Sequence, residues 1–179
     1  MAQFKAFSPN VEVNGETVLS IVDGMGAMKT VAKKILDDAG IRDPKPGQWF
    51  KQQAWLDAFQ KISESVGPNT LSLIGQKIPE NAQFPPAIDT IEKGLSAIDV
   101  AYHMNHRGGE IGHYEYKAQG PSKAAMVCAN PYPCDFDRGI ITAMARRFAP
   151  KSESVRVVHD DSKPCRKHGD ESCTYMVTW

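Results

Sequence analysis

Apolar residues change their spacing once along this chain, near position 108, and that change decides what it can fold into. Before it, they recur at helical intervals. Gln52, Leu56, Phe59, Ile62 and Val66 form one stripe that Gly67-Pro68 ends. Val31, Ile35 and Ala39 form another within a predicted helix from Ala27 to Ala39, stopped by Gly40. Val18, Leu19 and Val22 start a shorter helical pattern interrupted around Gly24 and Gly26, after a brief extended signal at Val11 and Val13. Asn69 can cap a short helix carrying Leu71, Ile74 and Ile78, limited by Pro79. From Pro86 a long helix carries Ile88, Ile91, Leu95, Ile98 and Tyr102, until Arg107-Gly108-Gly109 breaks it. After the change, Tyr114, Tyr116 and Ala118 alternate with polar residues, Gly120-Pro121 turns, and Ala124 to Ala129 reads as a buried return strand. Phe136, Ile140, Met144 and Phe148 mark a helix that Asp135 or Asp137 can cap. Val155, Val157 and His159, then Cys173, Tyr175, Val177 and Trp179, mark two further strands. Helices followed by β-β-α-β-β predict an α+β fold, with N-terminal helices packed on a small antiparallel sheet.

Residues 1–179 are the length of one domain, and 21 Lys+Arg balance 21 Asp+Glu. Zero net charge argues against a nucleic-acid partner, which needs a basic surface to neutralise phosphates. No apolar stretch reaches the roughly 20 residues of a membrane span, and the opening Met1-Ala2-Gln3-Phe4-Lys5 lacks an apolar signal core. The expected location is the cytoplasm, where cysteines stay reduced. All four lie late in the chain, at 128, 134, 165 and 173.

Cys165 and Cys173 bracket a polar connection between the last two strands. Cys134 follows the stiff turn Asn130-Pro131-Tyr132-Pro133 and can bring a third thiol from another edge of the sheet. His159, His168, Asp160 or Asp161 can supply a fourth ligand. Soft thiolates with one nitrogen or oxygen suit tetrahedral zinc, and an all-thiolate set including Cys128 suits an iron-sulfur cluster. The alternative is that Cys128 is a small core residue and the other thiols are unligated. His103, His106 and His113 cluster at the change of period. At about 100° per residue, the apolar stripe of the long helix is centred roughly 45° from His106 and roughly 105° from His103, so His106 is the inward-facing candidate. Such a histidine can ligate haem iron or bind a polar ligand, or it can satisfy carbonyls at the helix end. Trp49, Trp55, Phe59 and Phe84 can line an apolar pocket. No P-loop, G-x-S-x-G or H-E-x-x-H is present, and Asp135 and Asp137 read as structural.

The segment Cys165-Arg166, His168-Gly169-Asp170, Cys173 and Tyr175-Met176-Val177-Thr178-Trp179 resembles the close of the 4-vinyl-reductase-type ligand-binding domain. Its superfamily includes the haem nitric-oxide/oxygen-binding domains and the Bet3-like trafficking subunits. The resemblance in element order runs from about Thr17 onward. It implies a cavity between helices and sheet for a small hydrophobic molecule or tetrapyrrole. It also implies a cysteine zinc site, as in members that sense aromatic compounds, with the eight-residue step from Cys165 to Cys173. Where those members carry an acidic ligand, this chain has Ser162 beside Asp160 and Asp161. In the haem branch the proximal histidine lies where His103 and His106 fall, but the Tyr-x-Ser-x-Arg motif that holds the propionates has no counterpart here.

The expectation is a stand-alone homodimeric sensor domain that acts through a signalling partner. Its ligand or haem contacts would be Tyr102, His103, His106 and His113, and its metal ligands Cys134, Cys165 and Cys173, with Cys128 nearby. An enzyme that uses the histidines and Tyr102, Tyr114 or Tyr116 on a tetrapyrrole or aromatic substrate is the second reading. A ligand-free protein-interaction module is the third.

Overall fold

The computed structural model describes residues 3–150 and 154–179. The first two residues of the segment read for a signal lie outside that description. The helices come first: α1 (Gly15–Val18), α2 (Ser20–Gly24), α3 (Lys29–Asp38), α4 (Gln52–Ser65), α5 (Pro68–Gln76), α6 (Ile78–Asn81) and α7 (Ile91–Met104). Their apolar stripes face a common core that includes Ile35, Leu56, Phe59, Ile62, Ile74, Leu95 and Ile98. The later part is the antiparallel sheet that the alternation predicts. Strands β4 (His113–Gly120), β5 (Lys123–Ala129), β6 (Arg156–His159) and β7 (Cys173–Thr178) stand in the order β4-β5-β7-β6, with α8 (Cys134–Phe148) inserted between β5 and β6. The fold is α+β, as expected.

A second small sheet has no counterpart in the apolar pattern. Strands β1 (Glu12–Asn14), β2 (Trp49–Lys51) and β3 (His106–Arg107) pair in the order β2-β1-β3. Two- and three-residue strands from distant segments are too short to show a period. The long helix is also shorter at both ends than the span predicted from Pro86 to the break at Arg107. Ala87 has a positive φ of 64° and keeps Ile88 out of the helix, which begins instead where the Thr90 side chain accepts from the Lys93 N–H. The helix stops at Met104 because β3 pairs with β1, Val13 opposite His106.

Asn105 holds this junction together. Its side-chain oxygen accepts from Asn14, Thr17 and the Gln83 N–H, and its amide donates to the carbonyls of Gln83 and Ala101. A buried amide with every capacity used fixes its surroundings firmly, because any rearrangement strands a polar group. Here it pins the Gln83–Thr90 connection over the side of the core. α5 and α8 approach closely at Gly75 and Gly139: a Cβ at Gly75 would fall on the Phe136 carbonyl, and one at Gly139 on the Ser72 carbonyl.

Candidate metal centre and cavity

Four side chains from four places converge at one edge of the four-stranded sheet. Cys134 opens α8, His159 ends β6, Cys165 precedes the turn at Arg166–His168, and Cys173 opens β7. Their ligand atoms all lie within 4.8 Å of one another. The Cys134 Sγ is 3.0 Å from that of Cys173 and 3.7 Å from that of Cys165, and the last two are 3.8 Å apart. Register explains half of this. His159 pairs with Tyr175, and Tyr175 shares its face of β7 with Cys173 two residues away, so imidazole and thiol project to the same side. The Nδ1 of His159 donates to Asp161 at 2.7 Å, while its buried Nε2 has no nitrogen or oxygen partner and faces the Cys173 thiol. A buried ring nitrogen beside three thiols, with the other nitrogen held by a carboxylate, is the arrangement of a ligating histidine.

One thiol, Cys173, is already polarised for it. A hydrogen bond from Cys134, then the Arg166 guanidinium, the Arg166 N–H and His159, hold the Cys173 thiol well below the ordinary range against the cost of burial. Cys134, the donor, is pushed the other way by that same bond and by burial. The surroundings of Cys173 thus favour the thiolate, the form that binds metal. The three thiols and one imidazole fit a single soft or borderline divalent ion in tetrahedral coordination. Of the four sequence candidates for the fourth position, His159 occupies it; Asp161 supports His159, and Asp160 accepts from Ser162. Cys128, opposite Cys173 in the ladder, lies outside the four and is a fully buried core residue.

Behind the cluster lies a residue that nothing in the sequence marks as functional. Arg166 has a fully buried side chain that donates to Asp137, to the Asn130 carbonyl and side chain, and to the Tyr132 carbonyl at 2.8 Å. Asp137 also accepts from the Tyr114 hydroxyl at 2.6 Å. Asp137 is therefore no helix cap but the counter-ion of a buried arginine, and the start of α8 has no side-chain cap at all. An arginine is hard to identify as buried from sequence, since its type is overwhelmingly exposed.

The second feature is an apolar cavity of about 30 Å³ between α4, α7 and α8, whose walls include Trp55, Ile98, Tyr102, His106, Tyr132 and Phe136. The Gln52 amide donates to the Tyr132 hydroxyl at 3.1 Å, which donates to His106 Nε2 at 2.6 Å. His106 Nδ1 lies 2.8 Å from the Tyr102 carbonyl and so carries the proton. Burial lowers the His106 pKa to about 4, so the ring is neutral at physiological pH. Trp55, packed edge-on to Tyr132, has an indole N–H with no partner. Of the predicted contacts, Tyr102 and His106 line the cavity. His103 is half exposed and bonded to the Asp99 carbonyl, and His113 is exposed on β4. Trp55 and Phe84 line it as well; Trp49 lies instead under the Arg107 guanidinium.

No protein-family model matches this chain, and no curated protein does. Solved structures do. An H-NOX protein from S. oneidensis in the Fe(II)NO ligation state superposes with a TM-score of 0.66 over 92% of this chain and 97% of its own, at 13% identity. A point mutant of the T. tengcongensis H-NOX gives 0.65 over 92% and 96%, at 16% identity. An oxygen-binding H-NOX domain related to soluble guanylate cyclases, in its oxygen complex, gives 0.63 over 92% and 91%, at 16% identity.

The chain has the H-NOX fold. Haem is the group that this fold suggests, and the residues present do not accommodate it. Pockets for cofactor-sized ligands run to about 300–1,000 Å³, and the cavity of about 30 Å³ is an order of magnitude smaller. The Nε2 of His106, the nitrogen a proximal ligand would offer, accepts the Tyr132 hydroxyl instead. Trp55, Phe59, Tyr132 and Phe136 pack ring to ring at 4.7–5.9 Å in the adjoining space. On this fold the side chains that could hold a metal gather at the sheet edge instead. Among the described residues no helix is long and apolar enough to cross a membrane.

Proposed function

We propose that this chain is a small-molecule-binding sensor domain on the H-NOX scaffold. Its zinc centre is formed by Cys134, His159, Cys165 and Cys173, and a porphyrin-free cavity takes a small ring-shaped organic ligand. The observation that carries the metal reading is the convergence of three thiol sulfurs and the buried Nε2 of His159 within 4.8 Å of one another. Four protein ligands close the coordination sphere, so the ion holds structure and leaves no open position for water.

The cavity reading rests on Phe84. Its ring lines both the cavity and an adjacent surface cleft of about 340 Å³ walled by Pro79, Pro85, Ile88, Met144 and Phe148. Phe84 is thus a shared wall, and a ligand that displaces it would occupy both spaces. The free Trp55 N–H favours a ligand that brings an acceptor oxygen into this apolar setting, because a buried donor left unpaired is costly.

Elemental analysis of the purified protein checks the metal reading, with one zinc per chain expected. Cobalt exchange should give the thiolate charge-transfer and d–d absorption of a tetrahedral site. Protein without bound metal that takes up neither zinc nor cobalt refutes it. For the cavity, phenol and toluene are matched probes with and without an oxygen. Phenol should change Trp55 fluorescence at lower concentration than toluene, and silence from both removes the reading.

A further inference from the structure

We infer that the metal centre sets the shape of the cavity, with the buried Arg166–Asp137 pair carrying metal occupancy to Tyr132, Tyr114 and His106. The inference rests on the metal reading above and adds a regulation to it.

The connection from Asp161 to Ser172 is exposed along almost its whole length, and only Cys165 and Arg166 within it are buried. Its buried attachment is therefore Cys165 and the residue beside it, with one half-exposed ion pair, Lys167 to Asp135 at 3.1 Å, added on the surface. The backbone N–H of Arg166 points at the Cys173 Sγ at 3.4 Å, which places its main chain on the cluster. Its guanidinium reaches the other way. It holds the turn Asn130–Cys134 by the Asn130 side chain at 2.5 Å and the Tyr132 carbonyl at 2.8 Å. That turn ends in Cys134, so the metal grips one end and Arg166 the other. Between the grips, Tyr132 projects its hydroxyl to His106. The same ion pair orients a second cavity residue, because Asp137 accepts from the Tyr114 hydroxyl.

Two cavity tyrosines thus hang from one desolvated ion pair, whose own anchor is a metal ligand. A buried arginine cannot leave one of these partners without stranding charge, so the group moves as a unit or stays as a unit. With the metal in place the loop is pinned and Tyr132 is held against His106. Without it, Cys165 and the Arg166 main chain lose their anchor at the cluster, the loop is left to the Arg166 guanidinium and the exposed Lys167–Asp135 pair, and the Tyr132–His106 contact loosens. Linkage requires the reverse effect: a ligand that favours the tight arrangement tightens metal binding by the same factor.

The test follows His106 and Trp55, so it needs no cavity ligand. A Trp49→Phe/Trp179→Phe chain leaves Trp55 as its only indole. ¹⁵N spectra report the His106 ring, and amide exchange in α3 serves as a remote control. Chelation of the zinc should shift both His106 ring nitrogens and the Trp55 emission, restored by added zinc, while α3 stays protected. Arg166→Lys should bind one zinc and still show the His106 signals of the zinc-free protein. If that variant does not fold, the chelation experiment on the natural chain decides alone. Zinc bound one to one, with His106 and Trp55 unmoved by its removal, overturns the coupling and leaves the metal reading standing. Loss of α3 protection on chelation also overturns it, because the metal then holds the whole fold. A chain that takes up no metal overturns the metal reading and the coupling with it.

Discussion

Among the metal-site residues, the thiols were legible and the imidazole was not. Cys134, Cys165 and Cys173 stand out because soft ligands are rare and late in the chain, whereas four residues competed for the fourth position. Only the pairing of β6 with β7 puts His159 on the Cys173 face. Asp161 then fixes the tautomer. Asp161→Asn should keep the fold and lower zinc affinity about 10–100-fold, measured by competition with a chromophoric chelator. His106 makes a pH prediction. Folded, it stays neutral down to about pH 4; unfolded, it takes its proton near 6.5. Between those values the unfolded chain binds more protons. Its contribution is therefore complete above about 6.5 and is lost as the pH falls toward 4, by up to about 3 kcal/mol. Urea melts from pH 7.5 to 4.5 should show this slope, and His106→Gln should flatten it relative to the natural chain.

Long elements showed themselves through their period, and short ones did not. α4, α8 and the β4–β5 hairpin lie close to where the apolar spacing puts them, because each buries one face over many residues. The helix α7 starts later than its stripe, because Ile88 packs on the core from a loop, and it ends before His106, which is buried from a strand. A stripe reports burial and does not see the backbone. Nor does a period reveal how near two helices lie. The approach of α5 to α8 depends on Gly75 and Gly139 having no Cβ. Gly139→Ala should push the helices apart and cost about 1–3 kcal/mol in chemical denaturation, with zinc content unchanged.

For the molecule as a whole, the fold class followed from element order, and the superposition on H-NOX structures shows that fold over 92% of the chain. What element order does not carry is whether the space between helices and sheet is open or filled. That depends on ring packing around Tyr132, which no one-dimensional pattern encodes. Hemin added to the purified chain should give the spectrum of free hemin, without the sharpened Soret band of an axially ligated iron. A His106-dependent band would show that the aromatic cluster opens.

One consequence of the ligand order concerns chain cleavage. Cys134 lies before the end of α8, and the other three ligands lie beyond the start of β6. On the proposed metal reading, a protease that cuts the connection between α8 and β6 therefore leaves two fragments that share one ion. They should travel as a single particle on a sizing column until a chelator is added, and then separate if the metal is the stronger tie, or stay together if the β5–β7 ladder is.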